Sequence, residues 1–181
     1  MISPKKISLV LGLFLLISCY ESLDFKQLNE FLVKPVFTLA LNYFSIVPSQ
    51  FISSNGTQQI SITDVTEIKG LQDVYITNDI VRLEFNAEIK NELDRGVTIN
   101  VDFLDRISRL TYSFTAITIE SNDLDYIYLE GIDIVAYPDI LNTSKVRVRL
   151  ELENTGVPLN PNDTSEFEFK SSVTLFIESS F

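Results

Sequence analysis

Between residues 80 and 103 the side chains change polarity at almost every step, and this period of two constrains the fold more than any other feature of the chain. Val81, Leu83, Phe85, Ala87 and Ile89 alternate with Arg82, Glu84, Asn86, Glu88 and Lys90. A strand sends successive side chains to opposite faces, so such a segment has one dry face and one wet face, whereas a helix would scatter both sets around its circumference. After the turn Asn91 to Gly96, Val97, Ile99, Val101 and Phe103 alternate with Thr98, Asn100 and Asp102. The pattern predicts an antiparallel hairpin over 80–103, with Gly96 supplying a positive φ.

The same period returns at 145–153 (KVRVRLELE) and in a final strand with Phe167, Phe169, Val173, Leu175 and Ile177 on one parity. Shorter β-rich stretches lie at 36–47, 58–63, 110–119 and 124–137, where Gly131 is expected to divide two strands or mark a bulge. About eight or nine strands, solvated on one face, predict an all-β fold: an antiparallel β-sandwich. Immunoglobulin-like topology is one way to connect them, although no Cys pair or core Trp supports it. A membrane barrel is the weaker alternative, since several strands fall short of the 9–11 residues that a bilayer requires. The stretches 81–91 and 146–154 look alike, as two charged amphipathic strands do, and no fixed repeat period runs through the chain.

The first nineteen residues follow different rules. Lys5 and Lys6 precede an apolar run from Ile7 to Ile17, about 11 residues and too short to cross a bilayer, and Ser18 and Cys19 follow. Residues 16–19, Leu-Ile-Ser-Cys, resemble the lipobox of bacterial lipoprotein precursors. The resemblance covers that segment alone, and it implies that residues 1–18 are a signal peptide and that Cys19 is acylated and becomes the first residue of the mature chain. Two or three acyl chains would hold durably to a lipid bilayer, where one holds only marginally. Cys19 is the only cysteine, so it has no disulfide partner within the chain. In Gram-negative lipoproteins an aspartate after the cysteine resembles an inner-membrane retention signal; Tyr20 stands here, which implies the outer membrane. Residues 19–34 are expected to form a tether or a short helix, with Leu28, Phe31 and Leu32 at helical spacing and Pro35 as a stop, and residues 35–181 the sandwich.

Composition then removes function classes. There is no His and no Trp, and with Cys19 acylated neither imidazole-assisted nor cysteine catalysis has its groups. Net charge is -11; taking Lys5 and Lys6 from the 14 basic side chains leaves 12 against 25 acidic, or -13 for the mature chain, so a nucleic-acid partner is not expected. No glycine-rich nucleotide loop occurs, and no cofactor is expected.

Three candidate sites remain. A carboxylate hydrolase would need two acids about 5–9 Å apart, and Glu84, Glu88 and Asp102 are strand residues of that type, although wet-face acids ordinarily keep a sheet soluble. Tyr126 and Tyr128 share one strand parity and could form a glycan platform or pack at the core edge. The loops carrying Asn122, Asp123 and Asp125, and Asn160, Asn162 and Asp163, hold enough oxygens for calcium, yet these residue types also build turns without an ion. Taken together, the sequence predicts a noncatalytic, outer-membrane-anchored lipoprotein that serves as an accessory or binding subunit of an envelope protein assembly. Glycan binding and carboxylate hydrolysis are the alternatives.

Overall fold

The computed structural model describes residues 32–68 and 77–180. The chain divides into two compact units; Val33–Ser179 holds the sheets, and Met1–Leu32 with Ser180 and Phe181 lies almost wholly outside the described residues. The signal segment, Cys19 and the tether or helix up to residue 31 are among the undescribed residues.

Nine strands of three residues or more follow one another among the described residues: β1 (Val36–Ile46), β2 (Ser61–Glu67), β3 (Ile80–Asn91), β4 (Val97–Leu104), β5 (Leu110–Ser113), β6 (Ile117–Ile119), β7 (Tyr126–Asp133), β8 (Lys145–Leu152) and β9 (Phe167–Ile177). They form two antiparallel sheets, ordered β1-β9-β3-β7 and β2-β8-β4-β5, with β6 also pairing to β4. The pairs nest: β1 with β9, β2 with β8, β3 with β7, and β4 with β5 and β6. First-with-last nesting of one long antiparallel ribbon, rolled into two facing sheets, is the jelly-roll form of the β-sandwich. The expected sandwich is therefore present, with jelly-roll and not immunoglobulin-like strand order. Among the described residues the sheets are open, each ending in edge strands, with no pairing that closes them into a barrel.

One local expectation fails for a physical reason. β3 and β4 are not a hairpin: β3 pairs with β9 and β7, and β4 with β8, β5 and β6 in the other sheet. Period two specifies which side chains go inward, and it is satisfied equally by two strands side by side in one sheet or facing each other across the core. Residues 91–96 are an arch that carries the chain from one sheet to the other. Asn91 and Leu93 are fully buried in it and Arg95 nearly so. The Asn91 amide donates to the carbonyls of Arg95 (3.0 Å) and Glu120 (2.8 Å), and its Oδ1 accepts from the Leu93 N–H (3.1 Å). Gly96 does not take a positive φ. It is favoured for space, because a Cβ there would lie 3.1 Å from Glu153 Oε2 and 3.3 Å from the Ile119 carbonyl.

The core forms where the inward parities meet. Phe85 of β3 packs on Phe114 with ring centroids at 4.4 Å, and Phe103 of β4 meets Phe114 edge-on at 4.9 Å, so three rings lock the two sheets together. Edge-to-face aromatic pairs of this kind contribute about 0.5–1.5 kcal/mol beyond their buried area. The β8 row Val146, Val148, Leu150 and Leu152 and the β9 row from Phe167 to Ile177 are buried as their alternation predicts. At the start of β3 the predicted parity slips. The register shifts between Phe176 and Ile177, so Ile80 is buried and Val81 is 39% exposed. The expected strand 110–119 breaks into β5 and β6, with Leu110 exposed. β7 runs unbroken through Gly131, where a Cβ would lie 3.0 Å from the Arg82 guanidinium.

Candidate functional site

The sandwich has two different ends. The start of β1, the end of β9, the start of β3 and the end of β7 are in register at one of them, here the near end, together with the turns after β4 and before β8. The far end carries the arch and the loops 120–125 and 153–166.

The far-end loops are tied to one another through the backbone. The Asn91 N–H donates to the Asp123 carbonyl (2.7 Å), the Asn122 N–H to the Leu93 carbonyl (3.3 Å), and the Glu92 N–H to the Glu166 carbonyl (3.0 Å). Glu92 Oε2 returns the favour by accepting the Glu166 N–H at 3.0 Å. Both loops singled out for calcium are thus placed at this end, each folded around its own side chains. Asp123 Oδ1 accepts the Asp125 N–H (3.4 Å), Asn160 Oδ1 the Asn162 N–H (3.1 Å), and Asp163 Oδ1 the Ser165 N–H (3.0 Å). The Ser165 N–H holds the Asp163 carboxyl below its ordinary pKa. These are Asx turns, which need no ion. Among the described residues no group of three or more Asp, Glu, Cys or His side chains is arranged to hold a metal.

Tyr126 and Tyr128 share a face as expected, and it is the inward face. Both pack against the core, and the Tyr128 ring meets Phe85 at 6.2 Å. Glu130, next on that parity, accepts from the Tyr128 hydroxyl, from the Tyr112 hydroxyl (2.6 Å) and from the Thr115 N–H (3.4 Å). Desolvation first, and the Glu130 carboxylate second, push the Tyr128 phenol up to about 12, and the same two causes raise Tyr112. An inward-pointing acid on an edge strand also discourages pairing with another chain. The outward residues of β7 are Ile127 and Leu129, both exposed, while Tyr126 and Tyr128 are half-buried and Tyr126 also lines a cleft at the surface.

The three strand acids are not brought together. Glu84 is paired with Arg82 at 2.6 Å on one sheet, and Asp102 with Arg147 at 2.6 Å and the Ser113 hydroxyl at 2.7 Å on the other. Glu84 and Glu88 lie four residues apart on one strand, about 13 Å along it, which exceeds the separation that either glycosidase geometry uses.

Sequence reasoning missed a cleft of about 320 Å³ on the outer face of the β1-β9-β3-β7 sheet, lined by Glu88, Lys90, Leu124, Asp125, Glu168 and Lys170 among others. Its charges largely answer one another. Glu168 accepts from the Tyr43 hydroxyl (3.0 Å) and lies 3.3 Å from Lys170, while Lys90 is 2.5 Å from Glu92. The Tyr43 hydrogen bond, then that of Lys170, holds the Glu168 carboxyl below its ordinary pKa; the Glu92 carboxylate raises Lys90. The members come from β3, β7, β9 and a loop, and no linear spacing unites them.

No family model and no curated protein matches the chain. Among solved structures it is similar to the VP2 subviral particle of infectious bursal disease virus, at 11% identity and TM-score 0.44, over 80% of this chain and 32% of that one. A protein of Parabacteroides distasonis presumed to be secreted is similar at 16% identity and TM-score 0.49, over 64% of this chain and 38% of that one. The match spans about a third of the length of these structures.

Proposed function

We propose that this chain is an exported lipoprotein, anchored through acylated Cys19 in a bacterial outer membrane, whose sandwich serves an envelope protein assembly as a noncatalytic accessory or binding subunit. The observation that carries this reading is the basic, apolar and cysteine-ended segment of residues 5–19, placed ahead of a sandwich that the chain enters at its near end. The far end, opposite to that entry, offers the surface for a partner. That end is rich in acids, with Glu92, Asp94, Asp123, Asp125, Asp163 and Glu166 around Lys90 and the buried Arg95, and its loops are stiffened by the hydrogen bonds between them. Rigid loops lose little entropy on binding, and a field of one sign favours a partner with a basic surface.

Two measurements test the reading. Metabolic labelling with a fatty-acid probe should mark the native chain and not Cys19→Ala; equal labelling sinks the anchor. Chemical cross-linking in intact envelopes followed by mild detergent extraction should recover a stoichiometric protein partner, and recovery of free monomer alone counts against the accessory role. Among the described residues no helix is long and apolar enough to cross a membrane.

A further inference from the structure

Two loops at the near end hold apolar side chains out into solvent. In the turn after β4, Asp105 organises its own loop: its N–H donates to the Arg109 carbonyl (2.8 Å), and its Oδ1 accepts the N–H groups of Ile107 (2.9 Å) and Arg109 (2.8 Å). Ser108 adopts a left-handed φ of 67° to close the turn. The product is a stiff tip on which Ile107 is 70% exposed, with Leu110 exposed beside it. In the neighbouring loop Asp133 Oδ1 accepts the Val135 N–H (2.9 Å) and the Asp133 carbonyl accepts the Tyr137 N–H (3.1 Å), leaving Val135 87% exposed. Tyr137 is also exposed, and its ring meets Tyr112 at 5.2 Å. Arg109, Leu110 and Asp139 line one recess, so the two loops adjoin. Scattered single apolar side chains are ordinary on a surface; four on two pinned, adjacent loop tips are not.

Basic side chains surround the first tip. Arg106 and Arg109 belong to it, and Lys145 donates to the Arg106 carbonyl and the Ser108 hydroxyl, both at 3.1 Å. Acids lie among them: Asp105, whose Oδ2 accepts from Arg109 Nε at 2.7 Å, Glu67 directly across the strand pair from Lys145, and Asp133 and Asp139 on the second loop.

We propose that these tips are a membrane-contact surface: Ile107, Leu110, Val135 and Tyr137 enter the headgroup region of a bilayer while Arg106, Arg109 and Lys145 meet anionic lipid phosphates. Two observations select a bilayer as the occupant. The first is charge: the turn after β4 with Lys145 carries three basic side chains against Asp105 and Glu67, a locally positive spot in a chain of net charge -11, whereas the second loop carries Asp133 and Asp139. The second is the position of the proposed anchor. Cys19 precedes Val33 by fourteen residues, an extended reach of at most about 50 Å, and the chain enters β1 at this same end. The second argument rests on the lipid-anchor reading; the first does not.

The chain contains no tryptophan, so a single introduced one reports its own surroundings. Full-length exported protein carrying Ile107→Trp, Val135→Trp or, as a far-end control, Val157→Trp is mixed with vesicles of phosphatidylethanolamine and phosphatidylglycerol bearing brominated acyl chains. The expected result is a blue shift and loss of emission at 107 and 135, neither at 157, and loss of that quenching once Arg106, Arg109 and Lys145 are changed to Glu, with the acyl anchor still holding the chain to the vesicle. Emission at 107 and 135 unaltered by vesicles overturns the proposal, as does a response equal at all three positions. A blue shift produced by envelope protein extract and not by pure lipid also overturns it, since the surface would then belong to a protein partner. Fatty-acid labelling of the same samples separates the two readings: labelled Cys19 without quenching rejects the contact surface alone, and quenching without label rejects the anchor alone.

Discussion

Replacing Asn91 with Ala tests the arch that joins the two sheets. Asn91 is fully buried, and its amide satisfies three backbone groups at once, the carbonyls of Arg95 and Glu120 and the N–H of Leu93. Alanine leaves all three without their partner. A buried polar group stripped of its hydrogen bond costs about 1–3 kcal/mol, and with water recovering part of the loss at the end of the sandwich the total is about 3–4 kcal/mol. Domains of this size have about 5–15 kcal/mol in all, so the variant should still fold with much of its margin gone. In urea, with a slope of about 2 kcal/mol/M, the unfolding midpoint should fall by about 1.5–2 M at unchanged slope. Asn154→Ala serves as the comparison. Asn154 also accepts a turn N–H, that of Gly156 at 3.1 Å, but in an exposed loop where water replaces the bond, and the expected loss is under about 1 kcal/mol. Equal, small losses in both variants would refute the reasoning, because they are what an exposed hairpin turn at 91–96 would give.

Gly96→Ala should cost about 1 kcal/mol through crowding against Glu153 and the Ile119 carbonyl, and Glu153→Ala should relieve part of it in a double-mutant cycle; additive losses would deny the contact. Glu130→Gln should lower the Tyr128 phenol from about 12 without restoring its ordinary value of 10.0, since desolvation is the larger cause, and ultraviolet titration of the phenolate band reads this directly. Glu92, Asp105, Asp163 and Glu168 all have depressed folded-state values, so their contribution is present above their ordinary values of 4.5 and 3.8 and is lost as pH falls through the folded ones. Thermal melts should therefore weaken on acidification below about pH 4.5, whereas a flat profile down to pH 3 would contradict the assigned partners. Tyr112 and Tyr128 are raised, so their contribution is present below 10.0 and is lost as pH climbs above it.

The strands were legible because β3, β4, β8 and β9 each carry one clean apolar parity. Their partners were not, because alternation names a face and never a neighbour. β3 and β4 are consecutive, amphipathic and separated by a six-residue turn with a glycine, which is everything a hairpin shows; what places them in opposite sheets is β9, about 80 residues further on, which takes the edge of β3 that β4 would have used. The tyrosine face was left open between platform and core edge for a different reason. In β7 the sequence YIYLEGID is apolar on both parities, so period two could pair Tyr126 with Tyr128 and could not say which pair points inward. Glu130 was the available signal, since an acid sharing a parity with two tyrosines offers each hydroxyl an acceptor and lets that face be buried.

First-with-last pairing also fixes the polarity on which the functional reading depends. Because β1 pairs antiparallel with β9, the start of the first strand and the end of the last lie side by side, and the arch and the acidic loops are necessarily at the opposite end. An eight-residue strand such as β4 spans about 27 Å, against a Debye length of about 8 Å at physiological ionic strength. The two ends are therefore electrostatically separate in salt. A net charge of -11 over the whole chain does not prevent the locally positive turn after β4 from meeting an anionic surface, and the same surface does not neutralise the acids at the far end. One fold of this topology can thus face a bilayer with one end and a basic protein with the other, with about three Debye lengths between them.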